Sequence, residues 1–459
     1  MRPRLALAVV LAGASVAPLD TAVNVAFPAI TAAFGLDLPE IRWLVMLYVL
    51  TYGALMLVGG RLGDLHGYRR VFGFGLGVVA VSFAACALAP RYEVLLASRI
   101  GQGVGVALVL GCGPALALSQ FPEGERTRVL GHYTSMLAFG GAVGVLAGGA
   151  LVDLYGWQSV FWMRVPLALG ALTLLRLVSA APARSGDRPF DAAGAMLLAA
   201  WTGAFVLALA AADETRMWLA LLAVCAFAGF VVRGSRIAEP ILRPALFRDA
   251  RFTILNLLSI ATNLAAFAVP LLGPFYFARV SGLDALGIGS QLGVWAGGAL
   301  AGAALAERLG RQFGLERSGF VGIALCVAGL ASVGTWSAQT GLVAAAAALF
   351  ALGFGAGVFQ VAYADRVMAT LPRRDRGVAG SLTMLTRMLG VAAGATLLTA
   401  LLRDAEAAAL NAGAGMEEAF LEGFRFAFRC AAAGLGACLA VGLVTEYINR
   451  LRASRSRRV

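Results

Sequence analysis

Long apolar runs are the feature of this chain that most limits its fold. Sixty per cent of the 459 residues are hydrophobic, whereas soluble domains are nearer to about 45–50% apolar. A run of about 20 apolar residues crosses a bilayer as a helix. Fourteen such runs can be counted, at approximately residues 5–32, 41–64, 71–90, 94–118, 129–152, 157–178, 191–212, 216–234, 251–277, 285–307, 317–336, 341–365, 378–402 and 419–446. The sequence therefore predicts an all-α integral membrane protein with fourteen transmembrane helices.

The placement of arginine predicts the orientation in the membrane. All 37 basic residues are Arg, and the net charge is +12. If the N-terminus is cytoplasmic, 25 Arg fall in inner loops and tails and five in outer loops, as the positive-inside rule requires. Both termini are then cytoplasmic. The basic tail at 447–459 is expected to lie against anionic lipid, and no nucleic-acid partner is predicted.

Lysine and the sequence motifs that mark many enzyme and metal sites are absent from the sequence. Without Lys the chain has no Walker A loop and no Schiff-base lysine, and it has neither an H-E-x-x-H nor a G-x-S-x-G motif. The two His and the six Cys, which all lie within apolar runs without C-x-x-C spacing, do not predict a metal site. The chain is predicted not to be an enzyme, and no cofactor is expected.

Three short patterns recur in the second half of the chain. The first is Gly60, Asp64 and Gly67, matched 243 positions later by Ala303, Glu307 and Gly310; the others are Gly101, Gly103 and Gly105 with Gly353, Gly355 and Gly357, and Val129 and Gly131 with Val378 and Gly380. Two parallel halves are a common plan of secondary transporters. The offset exceeds one half, so an inserted helix pair must separate them. The predicted segments are an N-terminal six-helix bundle, an inserted pair with cytoplasmic linkers, a C-terminal six-helix bundle and the basic tail, at residues 1–178, 179–250, 251–446 and 447–459.

One carboxyl group lies deep within a predicted span. Charges inside a bilayer are costly, so each is a candidate functional residue. Asp20 is the only acid deep within a span, and Asn24 is expected on the same helix face one turn further on. A carboxyl group in a low-dielectric cavity can gain and lose a proton near neutral pH, which proton coupling requires. The alternative is a structural hydrogen bond to a neighbouring helix.

Three arginines lie within other predicted spans. Arg99 has Gln102 on its face at i+3 and cannot shed its proton, so it is expected to hold an acid ionised or to release it; a helix-end anchor is the alternative. Arg164 and Arg387 are expected either to reach the membrane surface or to face a central cavity and attract an anionic group. Tyr276 is a further candidate for this cavity, although core packing would also explain it.

A charged turn separates the second and third apolar runs. It contains Asp64, Arg69 and Arg70, with Gly60 and Gly67 as its glycines. The acid and the two arginines are expected to close the cytoplasmic side through ion pairs and helix-end contacts. A merely solvated turn is the alternative.

The fifth apolar run carries a stripe of glycines. Gly140, Gly144, Gly148 and Gly149 give it a face of small residues. Such a face lets two helices approach closely, so the stripe is predicted to be a packing surface at a hinge between helices.

Taken together, these motifs resemble the 14-helix drug:proton antiporter family of the major facilitator superfamily. Residues 19–28 resemble its first-helix motif, and residues 60–70, 99–105 and 140–149 resemble motifs A, B and C. Residues 190–194 resemble the start of the first inserted helix. The resemblance covers essentially the whole chain. It implies the major facilitator fold, with two six-helix bundles plus two inserted central helices, and a part in proton transfer for the motif B arginine, Arg99.

Several positions depart from the family pattern. Val145 stands where motif C has Pro, Gln158 and Arg164 replace the Arg and Asn that usually follow helix five, and Ala278 replaces a Gln. These departures leave the direction of antiport and the range of substrates open. A pocket rebuilt around Arg164 points to a narrower substrate that can be anionic.

The expected function is export of small amphipathic compounds, drugs or metabolites, driven by inward proton movement. The expected partners are a small-molecule substrate, protons and the lipid bilayer, and a monomer is expected in a bacterial cytoplasmic membrane. One alternative is an uptake symporter or facilitator for a specific metabolite, an anionic one included. Another is a membrane sensor or scaffold without transport.

Overall fold

The computed structural model describes residues 3–179, 191–211, 213–237, 244–370 and 377–456. Every regular element in these ranges is helical. Among the described residues, twelve helices are long and apolar enough to cross a membrane, and the bent pair Leu38–Met56 and Val58–His66 would make a thirteenth. The protein is therefore a multi-pass helical membrane protein. The predicted crossing at 191–212 corresponds to a helix whose apolar part, Ala193–Phe205, is shorter than these spans.

Backbone contacts divide the chain into two compact units. The first comprises Met1–Ile241 and Gly282–Gly293, and the second comprises Leu242–Ser281 and Val294–Val459. The helices of the first unit are α1 Pro3–Ala14, α2 Ala22–Val25, α3 Phe27–Phe34, α4 Arg42–His66, α5 Tyr68–Ala87, α6 Tyr92–Leu118, α7 Arg126–Tyr155, α8 Ser159–Trp162, α9 Arg164–Leu174, α10 Ala192–Ala210 and α11 Asp213–Arg236. Helices α10 and α11 pack on each other, and α10 also packs on α4.

The second unit continues the chain from the residues after the inserted pair. Its helices are α12 Ala250–Ala266, α13 Ala268–Arg279, α14 Ala285–Phe313, α15 Leu315–Val333, α16 Leu342–Thr370, α17 Gly377–Asn411 and α18 Met416–Ser456. The first turns of α14, up to Gly293, belong to the first unit. Short 3₁₀ turns at Pro18–Thr21, Leu38–Ile41, Glu123–Glu125, Leu175–Leu177 and Pro244–Arg248 complete the elements.

Glycines on α6 allow it to pack closely between α4 and α5. A Cβ on Gly103 would lie 3.0 Å from the Tyr48 carbonyl of α4. A Cβ on Gly105 would lie 2.5 Å from the Val79 side chain of α5 and 2.9 Å from the Gly75 carbonyl. Only a residue without a side chain fits such contacts. The G-x-G pattern here therefore serves helix packing.

The equivalent glycines of α16 pack in the same way between α14 and α15. Gly353 faces the Trp295 carbonyl of α14, and Gly355 faces the Gly322 carbonyl of α15. The contacts match Gly103 with Gly353 and Gly105 with Gly355, two residues away from the predicted register. The repeat of the sequence is thus real, but the packing contacts of its glycines, rather than the match of the motif letters, define its alignment.

The turns at the ends of α4 and α14 correct the predicted alignment again. Gly67 (φ 91°) and Gly314 (φ 85°) hold the same position between consecutive helices. Positive φ favours glycine, so these two residues, 247 positions apart, are the true equivalents. The predicted pairing of Gly67 with Gly310 is wrong by one helical turn. With the corrected register, Asp64 corresponds to Arg311 and the acid of the first turn has no acidic counterpart.

Candidate functional site

The first predicted span is interrupted beside its acidic residue. The helix α1 ends at Ala14, a 3₁₀ turn follows at Pro18–Thr21, and α2 begins at Ala22. Pro18 opens the turn, where a missing N–H is tolerated. Asp20 lies within this turn, and its carboxylate contacts side chains from α6 and α9.

Arg99 of α6 forms a two-pronged ion pair with Asp20. Its Nη1 and Nη2 donate to Oδ1 and Oδ2 of the carboxylate at 2.7 and 2.9 Å, and its Nε donates to the Leu44 carbonyl at 2.9 Å. Bidentate pairs of this kind combine charge with fixed geometry. Arg99 is only 1% exposed, so it is not a helix-end anchor at the membrane surface.

Gln102, one turn along α6, completes the contact with the acid. Its Nε2 donates to Oδ1 of Asp20 at 2.8 Å, and its Oε1 accepts from Nη1 of Arg99 at 2.7 Å. The amide therefore satisfies both members of the ion pair. The spacing of i+3 places it on the same helix face as Arg99.

Arg164, the first residue of α9, is the second cation at the same carboxylate. Its Nη1 donates to Oδ1 of Asp20 at 2.5 Å, and its Nε donates to the Val160 carbonyl at 2.9 Å. The side chain is completely buried. Its Nη2 has no hydrogen-bond partner among the described residues. Of the two orientations that the sequence left open for Arg164, the structure has the inward one.

Aromatic rings cover the two guanidinium groups. The Cζ of Arg99 lies 4.3 Å from the ring centre of Tyr48, and the Cζ of Arg164 lies 4.3 Å from that of Phe83 and 5.3 Å from that of Phe161. Cations at these distances are attracted to the ring faces. The rings also exclude water from the flanks of the cluster.

The cluster of Asp20, Arg99, Gln102 and Arg164 carries more positive than negative charge. With Asp20 ionised, two guanidiniums face one carboxylate, which leaves a net charge of +1. An uncompensated buried ion costs several kcal/mol. This site is therefore suited to bind a negatively charged group, and protonation of Asp20 would remove its only acidic charge.

The glycine stripe of α7 packs against the broken segment that carries Asp20. A Cβ on Gly140 would lie 2.9 Å from Pro18, one on Gly144 would lie 2.5 Å from Oγ1 of Thr21, and one on Gly148 would lie 2.8 Å from Ala22. Oγ1 of Thr21 also donates to the Gly141 carbonyl at 2.7 Å. The stripe is thus a packing surface, and its neighbour is the turn that carries Asp20.

The last glycine of the stripe faces a different element. A Cβ on Gly149 would lie 2.6 Å from the Ala285 carbonyl at the start of α14. Close by, the carboxylate of Asp153 accepts from the backbone N–H groups of Ala285 and Leu286 at 2.9 and 2.6 Å. Asp153 therefore caps α14 from another helix.

A family model places this architecture among known proteins. The model described as Major Facilitator Superfamily matches residues 6–395. The chain belongs to the Major Facilitator Superfamily. The family and the fold are those of membrane transporters.

Individual superfamily members are similar over most of their length. The riboflavin transporter RibZ of Clostridioides difficile is 25% identical over 385 residues, which cover 83% of this chain and 84% of that protein. The tetracenomycin C resistance and export protein of Streptomyces glaucescens is 29% identical over 389 residues, which cover 83% of this chain and 72% of that protein. A solved bacterial homologue of the human lysosomal transporter Spinster, inward-facing and unoccupied, superposes with a TM-score of 0.72 at 15% identity over 96% of both chains, which shows the shared fold.

The charged turn that resembles motif A of the superfamily has different contacts from those expected. Asp64 accepts a hydrogen bond from the Tyr68 hydroxyl and lies 3.8 Å from Nη1 of Arg61. Arg69 instead donates to the Val178 carbonyl at 3.0 Å, and Arg70 is exposed. The expected ion pair of Asp64 with Arg69 and Arg70 is not formed, because Gly67 turns the chain between them. Arg69 acts at the end of a neighbouring helical segment, where a cation is favoured.

Asn24 does not join the cluster in this superfamily member. It is half-buried on α2 and makes none of the contacts of Asp20 among the described residues. The expected shared face assumes one continuous α-helix. The 3₁₀ turn has three residues per turn, so the rotation between the two side chains differs from that assumption.

The two candidates in the second unit have other surroundings. Tyr276 is buried, its hydroxyl donates to the Ser337 carbonyl at 2.8 Å, and its ring stacks on Phe424 with centres 4.9 Å apart. These contacts are those of a packed aromatic core. Arg387 of α17 is exposed.

The second unit contains a buried polar network that the sequence reasoning missed. The Tyr363 hydroxyl of α16 donates to Oδ1 of Asn256 at 2.9 Å and lies 3.1 Å from Oγ1 of Thr386, which lies 3.0 Å from Oγ of Ser259. All four groups are neutral. Polar residues scattered through apolar runs gave no spacing signal, because the members come from three helices.

Proposed function

We propose that this protein is a proton-coupled exporter of small amphipathic compounds in a bacterial cytoplasmic membrane. In this proposal the chain crosses the membrane fourteen times, with α10 as one crossing, and both termini are cytoplasmic. The observation that carries the proposal is the ion pair of Asp20 with Arg99 inside a membrane span. Structural roles rarely require an ion pair at such depth, whereas proton relays do.

The chemistry of the pair suits coupling. Arg99 keeps its proton, so Asp20 is the member that can change charge. Protonation of Asp20 would abolish its ion pairs with both arginines and leave two uncompensated cations. A substrate group or a rearrangement of the helices must then satisfy them. Proton binding at Asp20 raises the positive charge of the site, so proton binding and substrate binding depend on each other, as coupled transport requires.

Alternating access would expose this site to the two sides of the membrane in turn. The turn of Asp64 and Arg69 would act on the cytoplasmic side, and the packing of the α7 glycines would allow the helix that carries Asp20 to shift. Relatives of known function support export: one is a resistance and export protein for tetracenomycin C. Another is a riboflavin transporter, so metabolites are as eligible as foreign drugs.

Inverted membrane vesicles test the direction. Their cytoplasmic face is outside, so an exporter concentrates its substrate inside when the interior is acidic. We expect a panel of amphipathic compounds to include at least one that accumulates with the wild-type protein and does not accumulate with Asp20→Asn. Accumulation in right-side-out vesicles instead would contradict export.

A second candidate function is uptake of an anionic metabolite by symport or facilitated transport. The observation that favours it is the net positive charge of the cluster, which includes Arg164 at a position where relatives of the resembled family carry a neutral residue. The same two vesicle orientations distinguish the candidates. A protein that moves no compound in either orientation would be a sensor or scaffold.

A further inference from the structure

The two guanidinium groups of the cluster differ in how many of their N–H donors have a hydrogen-bond acceptor. Arg99 donates from both Nη atoms to both oxygens of Asp20 and from Nε to a backbone carbonyl. Arg164 donates from Nη1 to Asp20 and from Nε to the Val160 carbonyl, while its buried Nη2 has no partner in the described part of the chain. A buried donor without a partner costs free energy, and this one belongs to a charged group.

The unused donor lies on the edge of the guanidinium that carboxylates prefer. Arginine binds a carboxylate through two parallel N–H···O bonds, and Arg99 shows that geometry. On Arg164 the edge formed by Nη1 and Nη2 is half occupied by a single oxygen of Asp20. Asp20 would keep its contacts with Arg99 and Gln102 if a second carboxylate replaced it at Nη1.

Access to this edge is through the carboxylate side of the cluster. The side chain of Asp20 is 13% exposed, whereas those of Arg99 and Arg164 are 1% and 0% exposed. A solute that reaches the cluster therefore meets Asp20 first. The surroundings of Arg164 are apolar, with the rings of Phe83 and Phe161 on the guanidinium.

We propose that Arg164 is the substrate-selecting residue and that it binds the carboxylate of a monoanionic compound with an apolar body. This inference rests on the proposed function for its site and adds the class of substrate. One added carboxylate brings the net charge of the cluster from +1 to zero. A neutral compound leaves the charge at +1, and a cation raises it to +2. The affinity order is therefore monoanion, then neutral compound, then cation.

Three fluorescent probes that differ mainly in charge test this order. Dansylglycine is a monoanion, dansylglycinamide is its neutral counterpart, and dansyl-ethylenediamine is a cation. Binding to the purified protein in lipid nanodiscs is measured by energy transfer from tryptophan to the dansyl group, with empty nanodiscs as the blank for partitioning. The variants are Arg164→Asn and, as a matched control, Arg403→Asn, which removes an exposed arginine of α17.

We expect wild-type protein to bind dansylglycine at least about tenfold more tightly than dansylglycinamide, since a charged hydrogen-bonded contact is lost in the amide. Arg164→Asn should lose this preference, and Arg403→Asn should keep it. Equal affinity of wild type for acid and amide, absence of saturable acid binding, or an unchanged preference in folded Arg164→Asn would overturn the inference. The wild-type comparison decides the matter if the variant does not fold.

The binding measurement needs no proton gradient and therefore separates the two proposals. Selective carboxylate binding without proton-coupled flux would uphold the role of Arg164 and contradict coupled export. Coupled export of compounds irrespective of their charge would uphold coupled export and contradict the substrate-selecting role of Arg164.

Discussion

Nη1 of Arg164 lies 2.5 Å from Oδ1 of Asp20, although the two residues are 144 positions apart in the sequence. Arg99 reaches the same oxygen at 2.7 Å. One carboxylate oxygen thus accepts from two buried arginines and from Gln102. This concentration of charge within a membrane-spanning segment is the basis of the proposed function, and the surrounding packing holds it in place.

The close approach of Gly144 to the Asp20 turn predicts a sharp difference between two glycine substitutions. A Cβ at Gly144 would lie 2.5 Å from Oγ1 of Thr21 and 3.0 Å from the Leu19 backbone. Gly144→Ala should therefore displace the turn, lower the free energy of unfolding by about 1–3 kcal/mol and reduce coupled transport. Thermal unfolding in detergent and vesicle transport measure the two effects.

Gly141→Ala is the control for this experiment. A Cβ there would have only the Thr21 methyl group, at 4.0 Å, as a neighbour outside its own helix. The variant should behave like wild type. Equal behaviour of the two alanine variants would show that close packing on the Asp20 turn does not matter.

The cap that Asp153 places on α14 predicts a local change in backbone protection. Asp153→Ala removes the acceptor of the Ala285 and Leu286 N–H groups, and loss of a helix cap costs about 1 kcal/mol. Amide hydrogen exchange in the first turn of α14 should become several-fold faster. Asp153→Asn keeps one acceptor oxygen for the two N–H groups and should retain part of the protection. Unchanged exchange in the alanine variant would contradict the capping role.

The two arginines of the charged turn are predicted to differ. Arg69→Gln removes the hydrogen bond to the Val178 carbonyl and should increase hydrogen exchange in the 3₁₀ turn Leu175–Leu177. Arg70 is exposed, so Arg70→Gln should change the free energy of unfolding by less than about 0.5 kcal/mol. If Arg70→Gln lowered the free energy of unfolding more than Arg69→Gln, the contacts assigned to this turn would be contradicted.

Much of the fold follows from the sequence because apolar length and small-residue spacing are local properties. Most of the predicted apolar runs coincide with long apolar helices among the described residues, and the G-x-G patterns pack helices closely. The repeat could be recognised, but its register could not be fixed. Gly67 and Gly314 are equivalent because both have a positive φ at the turn between consecutive helices. Matching glycines and acids in the sequence does not reveal this backbone angle.

The site was predictable only in part. A lone acid in an apolar run identified Asp20, and spacing placed Gln102 beside Arg99. The direction of Arg164 was not readable, because an arginine near a span end can reach the membrane surface or point inward. In the structure, the contacts of Arg164 with Phe83 on α5 and with Asp20 show that its side chain points inward. The break at Pro18 was visible as a proline, but its consequence for Asn24 required the geometry of the 3₁₀ turn.

The most direct measurement of the central claim is substrate-driven proton movement in liposomes that contain the purified protein and a trapped pH dye. With a compound that the vesicle panel identifies as a substrate, the wild-type protein should move protons against the substrate flux. Asp20→Asn should insert and unfold like wild type but show no coupled proton movement. Undiminished proton movement in Asp20→Asn would contradict the assignment of coupling to Asp20 and its two arginines.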